Sequence, residues 1–145
     1  MVNLKETVGF LQRVPLFQGL KPHQKELLAK RFVERDYKKD DKIVTQGKGG
    51  EGFFIIIQGH ADAFRTLSDG NDVQVNSFGP TNYFGELALL DEEGLRTASV
   101  VATEPTKCVV LTRWDFLGLL KEENDMAISI LIEMARRFRI MLDTM

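Results

Sequence analysis

The amino-acid sequence predicts a mainly β domain, an antiparallel sandwich or barrel, with helical segments before and after it. Three observations carry this. Residues 32–111 break into short apolar runs separated by glycine-containing turns, the pattern of many short strands. The connections between those runs leave no room for the crossovers that a parallel sheet requires. The two ends carry apolar residues at helical spacing instead.

Leu4, Val8 and Leu11, with Phe10 beside them, recur at helical spacing, and Pro15 closes that helix. A second short helix is expected from Pro22, with proline in its first turn, to Ala29. Strands follow at Val33 to Tyr37, Lys42 to Thr45, Phe53 to Gln58, Ala61 to Leu67, Asp72 to Phe78, Ala98 to Ala102 and Lys107 to Leu111. Gly47 to Gly52, Gly59 and Ser68-Asp69-Gly70-Asn71 supply turn chemistry between them. Helix returns after Thr112, a suitable N-cap, with Asp115 where a negative charge favours a helix start. Trp114, Leu117 and Leu120 are expected on one face, Asn124-Asp125 as an interruption, and a last helix from about Met126 to the end. Its stripe of Ile128, Leu131, Ile132, Ala135, Phe138 and Leu142 either covers the barrel or forms a seam with a second copy. Self-association is the favoured expectation.

The 145 residues fit one domain, 1–145, divided as N-terminal helices 1–31, a β region 32–112 and C-terminal helices 113–145. Hydrophobic residues make up 43% and charged residues 28%, enough for a core without disulfides or a structural metal. The net charge of −2 offers no global basic field for nucleic acid. Cys108, the sole cysteine, lies in an apolar run and reads as a buried thiol. No apolar run approaches a membrane span, and the first residues lack a signal-peptide pattern. A cytoplasmic location with no membrane partner is expected. His23 and His60 stand far apart, so no metal site is expected. Ser99 has no evident His–Asp partners, so a nucleophilic enzyme is not expected either.

The chemistry concentrates in Tyr83 to Val100. Gly85 allows close backbone approach to a ligand. Glu86 offers a carboxylate that can accept from sugar hydroxyls. Leu87 to Leu90 read as one helical turn whose N–H groups favour an anion. Arg96 supplies a guanidinium suited to bidentate phosphate binding. An acid and an arginine on one loop suit a nucleotide carrying little negative charge. No glycine-rich triphosphate loop with lysine is present. Read without context, Glu86 and Arg96 could equally be a structural ion pair.

Phe84-Gly85-Glu86-Leu87-Ala88-Leu89, followed by Arg96-Thr97-Ala98-Ser99, strongly resembles the phosphate-binding cassette of cyclic-nucleotide-binding domains. That family includes catabolite-activator-type regulators, regulatory subunits of cyclic-nucleotide-dependent kinases, and gated channels. Phe10 to Phe17 is similar to the family's N-terminal helix and turn. Ile43-Val44-Thr45-Gln46-Gly47 and Phe53 to Gly59 are similar to its glycine-punctuated strands, and Arg113 to Phe116 to the start of its next helix.

The resemblance implies an antiparallel eight-stranded β-roll of jelly-roll type, with N-terminal helices and one or two C-terminal helices. It implies a ligand site at Gly85, Glu86, Leu87, Ala88, Arg96, Thr97 and Ala98. Glu86 would accept the ribose 2′-hydroxyl beside the Gly85 backbone, and Leu87 would line the ribose side. Arg96 would pair with the cyclic phosphate, and the N–H groups of Ala88 and Thr97 would bond its oxygens. Arg96 stands one residue further from Glu86 than in many members, and Leu95 replaces a common proline. A longer loop at Asp91 to Gly94 accommodates both, its acids facing solvent.

The expected function is therefore a non-catalytic sensor without a cofactor. It binds cyclic AMP in preference to cyclic GMP and relays occupancy through its C-terminal helices to an effector protein. Two rival readings are the sensor part of a transcription regulator and an interaction module that has lost the nucleotide.

Overall fold

The computed structural model describes residues 3–48, 52–91 and 97–145, with Leu87 described by its backbone alone. The chain divides into two compact units, residues 1–31 with 114–145, and residues 32–113.

The first unit is helical. Helix α1 spans Leu4–Leu11 and is capped by Asn3, whose side chain accepts from the Glu6 N–H at 2.8 Å. A 3-10 turn follows at Pro15–Phe17, then α2 at Pro22–Ala29. Proline opens α2, and the Gln24 side chain accepts from the Lys21 N–H at 2.9 Å. Helix α3 spans Arg113–Glu122 and α4 spans Asn124–Asp143. The break falls at Glu123, the N-cap of α4, so Asn124-Asp125 open the helix instead of interrupting it. Asn and Asp favour helix starts, which explains why their presence was ambiguous in the sequence.

The face of α3 shared by Trp114, Leu117 and Leu120 is not its buried one. Phe116 and Leu119 are its buried residues, while Trp114 is 79% exposed. Phe17 and Phe116 pack at a tilt, with ring centroids 6.2 Å apart. On α4 the buried residues are Met126, Ile130 and Glu133. Arg136 donates to both carboxylate oxygens of Glu133, at 2.7 and 3.1 Å. The stripe of Ile128, Leu131, Ile132, Phe138 and Leu142 is half exposed or more.

The second unit holds eight strands in two antiparallel sheets. In chain order they are β1 Val33–Tyr37, β2 Lys42–Val44, β3 Gly52–Gln58, β4 Ala61–Thr66, β5 Asp72–Phe78, β6 Tyr83–Phe84, β7 Ser99–Ala102 and β8 Thr106–Thr112. One sheet runs β1-β8-β3-β6 and the other β2-β7-β4-β5. This is the expected eight-stranded jelly-roll architecture. Seven of these strands were legible as apolar runs. Strand β6 was not, because two residues cannot display an alternating pattern.

The core between the sheets contains Phe54, Ile56, Ala61, Ala63, Phe84, Val100, Cys108 and Val110. Cys108 is fully buried, and burial pushes its thiol up to about 12, with the Asp36 carboxylate adding to the rise. At the β3–β4 turn Gly59 adopts φ +96°, and a Cβ there would meet the Pro105 carbonyl oxygen at 2.5 Å. Glycine is required on both counts. His60 then locks the corner. Its N–H donates to Thr106 Oγ1 at 3.2 Å, and its ring nitrogens lie 2.8 Å from Thr103 Oγ1 and 2.6 Å from Ser77 Oγ.

Candidate functional site

Strand β6 ends at Phe84, and the chain leaves the sheet there. Phe84 is held from both sides, stacked on Phe54 and tilted against Phe78, each pair of ring centroids 5.0 Å apart. Gly85 follows at φ +88°, a left-handed conformation that glycine adopts without strain. It turns the backbone into a 3-10 turn at Glu86–Leu89, the short turn expected at Leu87 to Leu90 displaced by one residue. The segment thus reaches its position because two aromatic contacts anchor one end and a glycine redirects the chain.

Beside it lies a cavity of about 350 Å³, within the range of small-ligand sites. Its apolar wall is Val44, Ala63, Val75, Phe78, Phe84 and Val100. Its polar groups come from Arg65, Asn76 and Thr97, with Gly85 and Ala98 completing the lining. Five strands, β2, β4, β5, β6 and β7, and the residue before the 3-10 turn therefore converge on one apolar hollow with few polar groups.

Gln46 braces this end of the second sheet. Its N–H donates to Ser99 Oγ at 2.9 Å, its amide donates to the Thr66 carbonyl at 3.1 Å, and its amide oxygen accepts from the Thr66 N–H at 2.7 Å. One side chain so ties the segments after β2, at the end of β4 and at the start of β7.

The expected site residues fall in three places. Gly85, Thr97 and Ala98 line the cavity. Glu86 and Ala88 lie on the adjoining 3-10 turn, Glu86 half-buried and Ala88 buried. The Ala88 N–H donates to the Gly85 carbonyl at 3.0 Å, so it can serve a phosphate only by sharing or releasing that bond. Arg96 and the side chain of Leu87 lie outside the described residues, as does most of the acidic loop at Asp91 to Gly94.

Sequence reasoning missed Arg65 and Asn76. For Arg65 a signal existed. Ala61 and Ala63 are buried on one face of β4, and strand alternation puts residue 65 on that same face. Asn76 had no comparable signal, because β5 is exposed along nearly its whole length.

Residues 34–123 match the family model described as the cyclic nucleotide-binding domain. The chain belongs to that family. Its sequence is 37% identical over 125 residues to the cyclic AMP receptor protein of Thermus thermophilus, covering 86% of this chain and 57% of the relative. It is also 37% identical over 117 residues to a cAMP-dependent protein kinase regulatory subunit of Aspergillus niger, covering 81% of this chain and 28% of the relative. The cyclic-nucleotide-binding chain thus spans little more than half the length of one relative and under a third of the other. Among solved structures, the N-terminal domain of a transcriptional regulator from Streptomyces coelicolor superposes with a TM-score of 0.85 at 30% identity, covering 94% of this chain and 96% of that one. Among the described residues no helix is long and apolar enough to cross a membrane.

Proposed function

We propose that this cyclic-nucleotide-binding domain is a non-catalytic sensor, with residues 1–145 acting as one binding domain for cyclic AMP in preference to cyclic GMP. The carrying observation is the cavity lined by Gly85, Thr97 and Ala98, three residues of the cassette motif, beneath an apolar wall sized for a nucleotide base. Two relatives whose names carry cyclic AMP support the choice of base. In this reading Glu86 accepts the ribose 2′-hydroxyl and Leu87 lines the ribose. Arg96 pairs with the cyclic phosphate, whose oxygens also take N–H bonds from Ala88 and Thr97. The ligand stands alone, with no cofactor.

Occupancy is relayed through movement of the segment after Thr112, since a ligand shifts a conformational equilibrium by its differential affinity for the two states. The exposed stripe on α4 serves as a seam with a second copy. The sensor acts in the cytoplasm on an effector protein and contacts no nucleic acid through these residues. A second reading makes the domain the sensor part of a transcription regulator, and the Streptomyces coelicolor domain favours it.

Calorimetry on nucleotide-free protein with cyclic AMP, cyclic GMP and a cyclic dinucleotide tests the proposal. Cyclic AMP is expected to bind most tightly. Arg96→Ala should weaken it at least about tenfold without lowering the melting temperature, since charged hydrogen bonds contribute about 1.5–3 kcal/mol. Absence of binding by every ligand, or wild-type affinity in Arg96→Ala, would overturn it.

A further inference from the structure

The side chain of Arg65 has no place in the family motif, yet it lies in the cavity. Strand alternation makes it the third residue of a face that begins with the buried Ala61 and Ala63. Arg65 itself is exposed at the open end of that strand, so it meets the cavity from the solvent side and keeps its charge without a burial cost. Among the described residues no carboxylate pairs with it. Its one hydrogen bond is from Nε to the Thr97 carbonyl oxygen at 3.4 Å, a loose contact near the outer limit for such bonds. That bond leaves the paired N–H groups of the guanidinium fork available. Thr97 is also the residue that follows Arg96 in the chain, so Arg65 is tied to the segment that would hold the phosphate.

We propose that Arg65 is a second anion-binding residue of the cavity, presenting its guanidinium to the phosphate of the bound cyclic nucleotide. This rests on the cyclic-nucleotide reading above. A guanidinium fork matches two phosphate oxygens at once, which an ammonium group cannot reproduce in full. The Thr97 contact gives Arg65 a second task. It links the side chain to Thr97, so that strand β4 and the cassette meet the same anion.

The test compares wild type, Arg65→Gln, Arg65→Lys and a charge control, Lys39→Gln, on the exposed turn before β2. Each is titrated with cyclic AMP across a range of salt concentrations, and each ligand-free melting temperature is measured. Arg65→Gln should lose about tenfold or more in affinity and show a shallower salt dependence. Arg65→Lys should recover part of the loss, and Lys39→Gln should match wild type. Wild-type affinity and salt slope in Arg65→Gln would overturn the inference alone. So would equal losses in both Arg65 variants accompanied by a lowered melting temperature, the signature of a merely structural role. Failure of the wild-type protein to bind would overturn the nucleotide reading, and this inference with it.

Discussion

Phe54 and Phe84 stack nearly parallel, their ring planes 7° apart and their centroids 5.0 Å apart. They are also cross-strand partners in the β3–β6 ladder. The residue that begins the ligand segment is thus fixed by backbone pairing and ring contact together. Phe84→Ala should cost about 3–5 kcal/mol of stability, the range for deleting a buried aromatic side chain. It should also weaken ligand, because the same ring lines the cavity. Urea denaturation and a binding titration check the two effects. A variant as stable as wild type would show that the stack contributes little.

Thr97 tests how the base is read. If its N–H and hydroxyl serve the phosphate, Thr97→Ala weakens cyclic AMP and cyclic GMP together by about threefold to tenfold, the worth of one hydrogen bond. Parallel titrations decide it. A loss confined to cyclic GMP would mean that the hydroxyl reads guanine.

Amide exchange with and without cyclic AMP tests the relay. Protection should change more across Arg113 to Met145 than in the β-strands. A uniform change, or none in those helices, would reject the relay.

The α4 stripe predicts concentration-dependent dimers by sedimentation. Leu131 and Ile132 are each 64% exposed and Phe138 is 57% exposed. Leu131→Glu combined with Phe138→Glu should leave a monomer of unchanged helix content. A wild-type protein that stays monomeric across the micromolar range would contradict the seam.

Cys108 predicts a pH effect with a definite sign. Its folded thiol is raised from an ordinary 9.0 to about 12 by burial and by Asp36. Between those values the unfolded chain has lost the proton that the folded chain keeps, so stability falls as pH rises. The contribution is complete below about pH 9 and gone as pH passes about 12. A thiol reagent at pH 8 should leave the native protein untouched and react once urea unfolds it. Rapid reaction with native protein would place the thiol at the surface.

Much of the fold was legible because turn glycines and apolar runs are local signals. Gly59 and Gly70 mark real turns at positive φ, and the strands between them appeared with bounds off by a residue or two. The cassette was legible for another reason, since Phe84 to Leu89 resembles a family motif. What stayed hidden depends on distant partners. Trp114 satisfies helical periodicity, but the choice of buried face fell to Phe116 and Leu119 one register away. Alternation puts Arg65 on the face of Ala61 and Ala63, but its partner, the Thr97 carbonyl, comes from the segment before β7 and shows in no local pattern. The exposed stripe on α4 shows the same limit, because periodicity reveals an amphipathic helix without telling which apolar residues are covered.

The sheet order has a kinetic consequence. Strand β1 pairs with β8, and Val33 faces Val110 across most of the chain's length. Strands β2 and β7 are likewise far apart in sequence. Such pairings close long loops whose entropy must be lost before any contact repays it, which puts folding in the slow, millisecond-to-second class of β-rich domains. The β4–β5 hairpin is local and can form early. The ligand hollow cannot, because Val44, Ala63 and Val100 meet only when β2, β4 and β7 have all joined one sheet. The hollow is therefore completed by β7, Ser99–Ala102, which begins at the last residue of the motif, so motif and hollow are finished together and late.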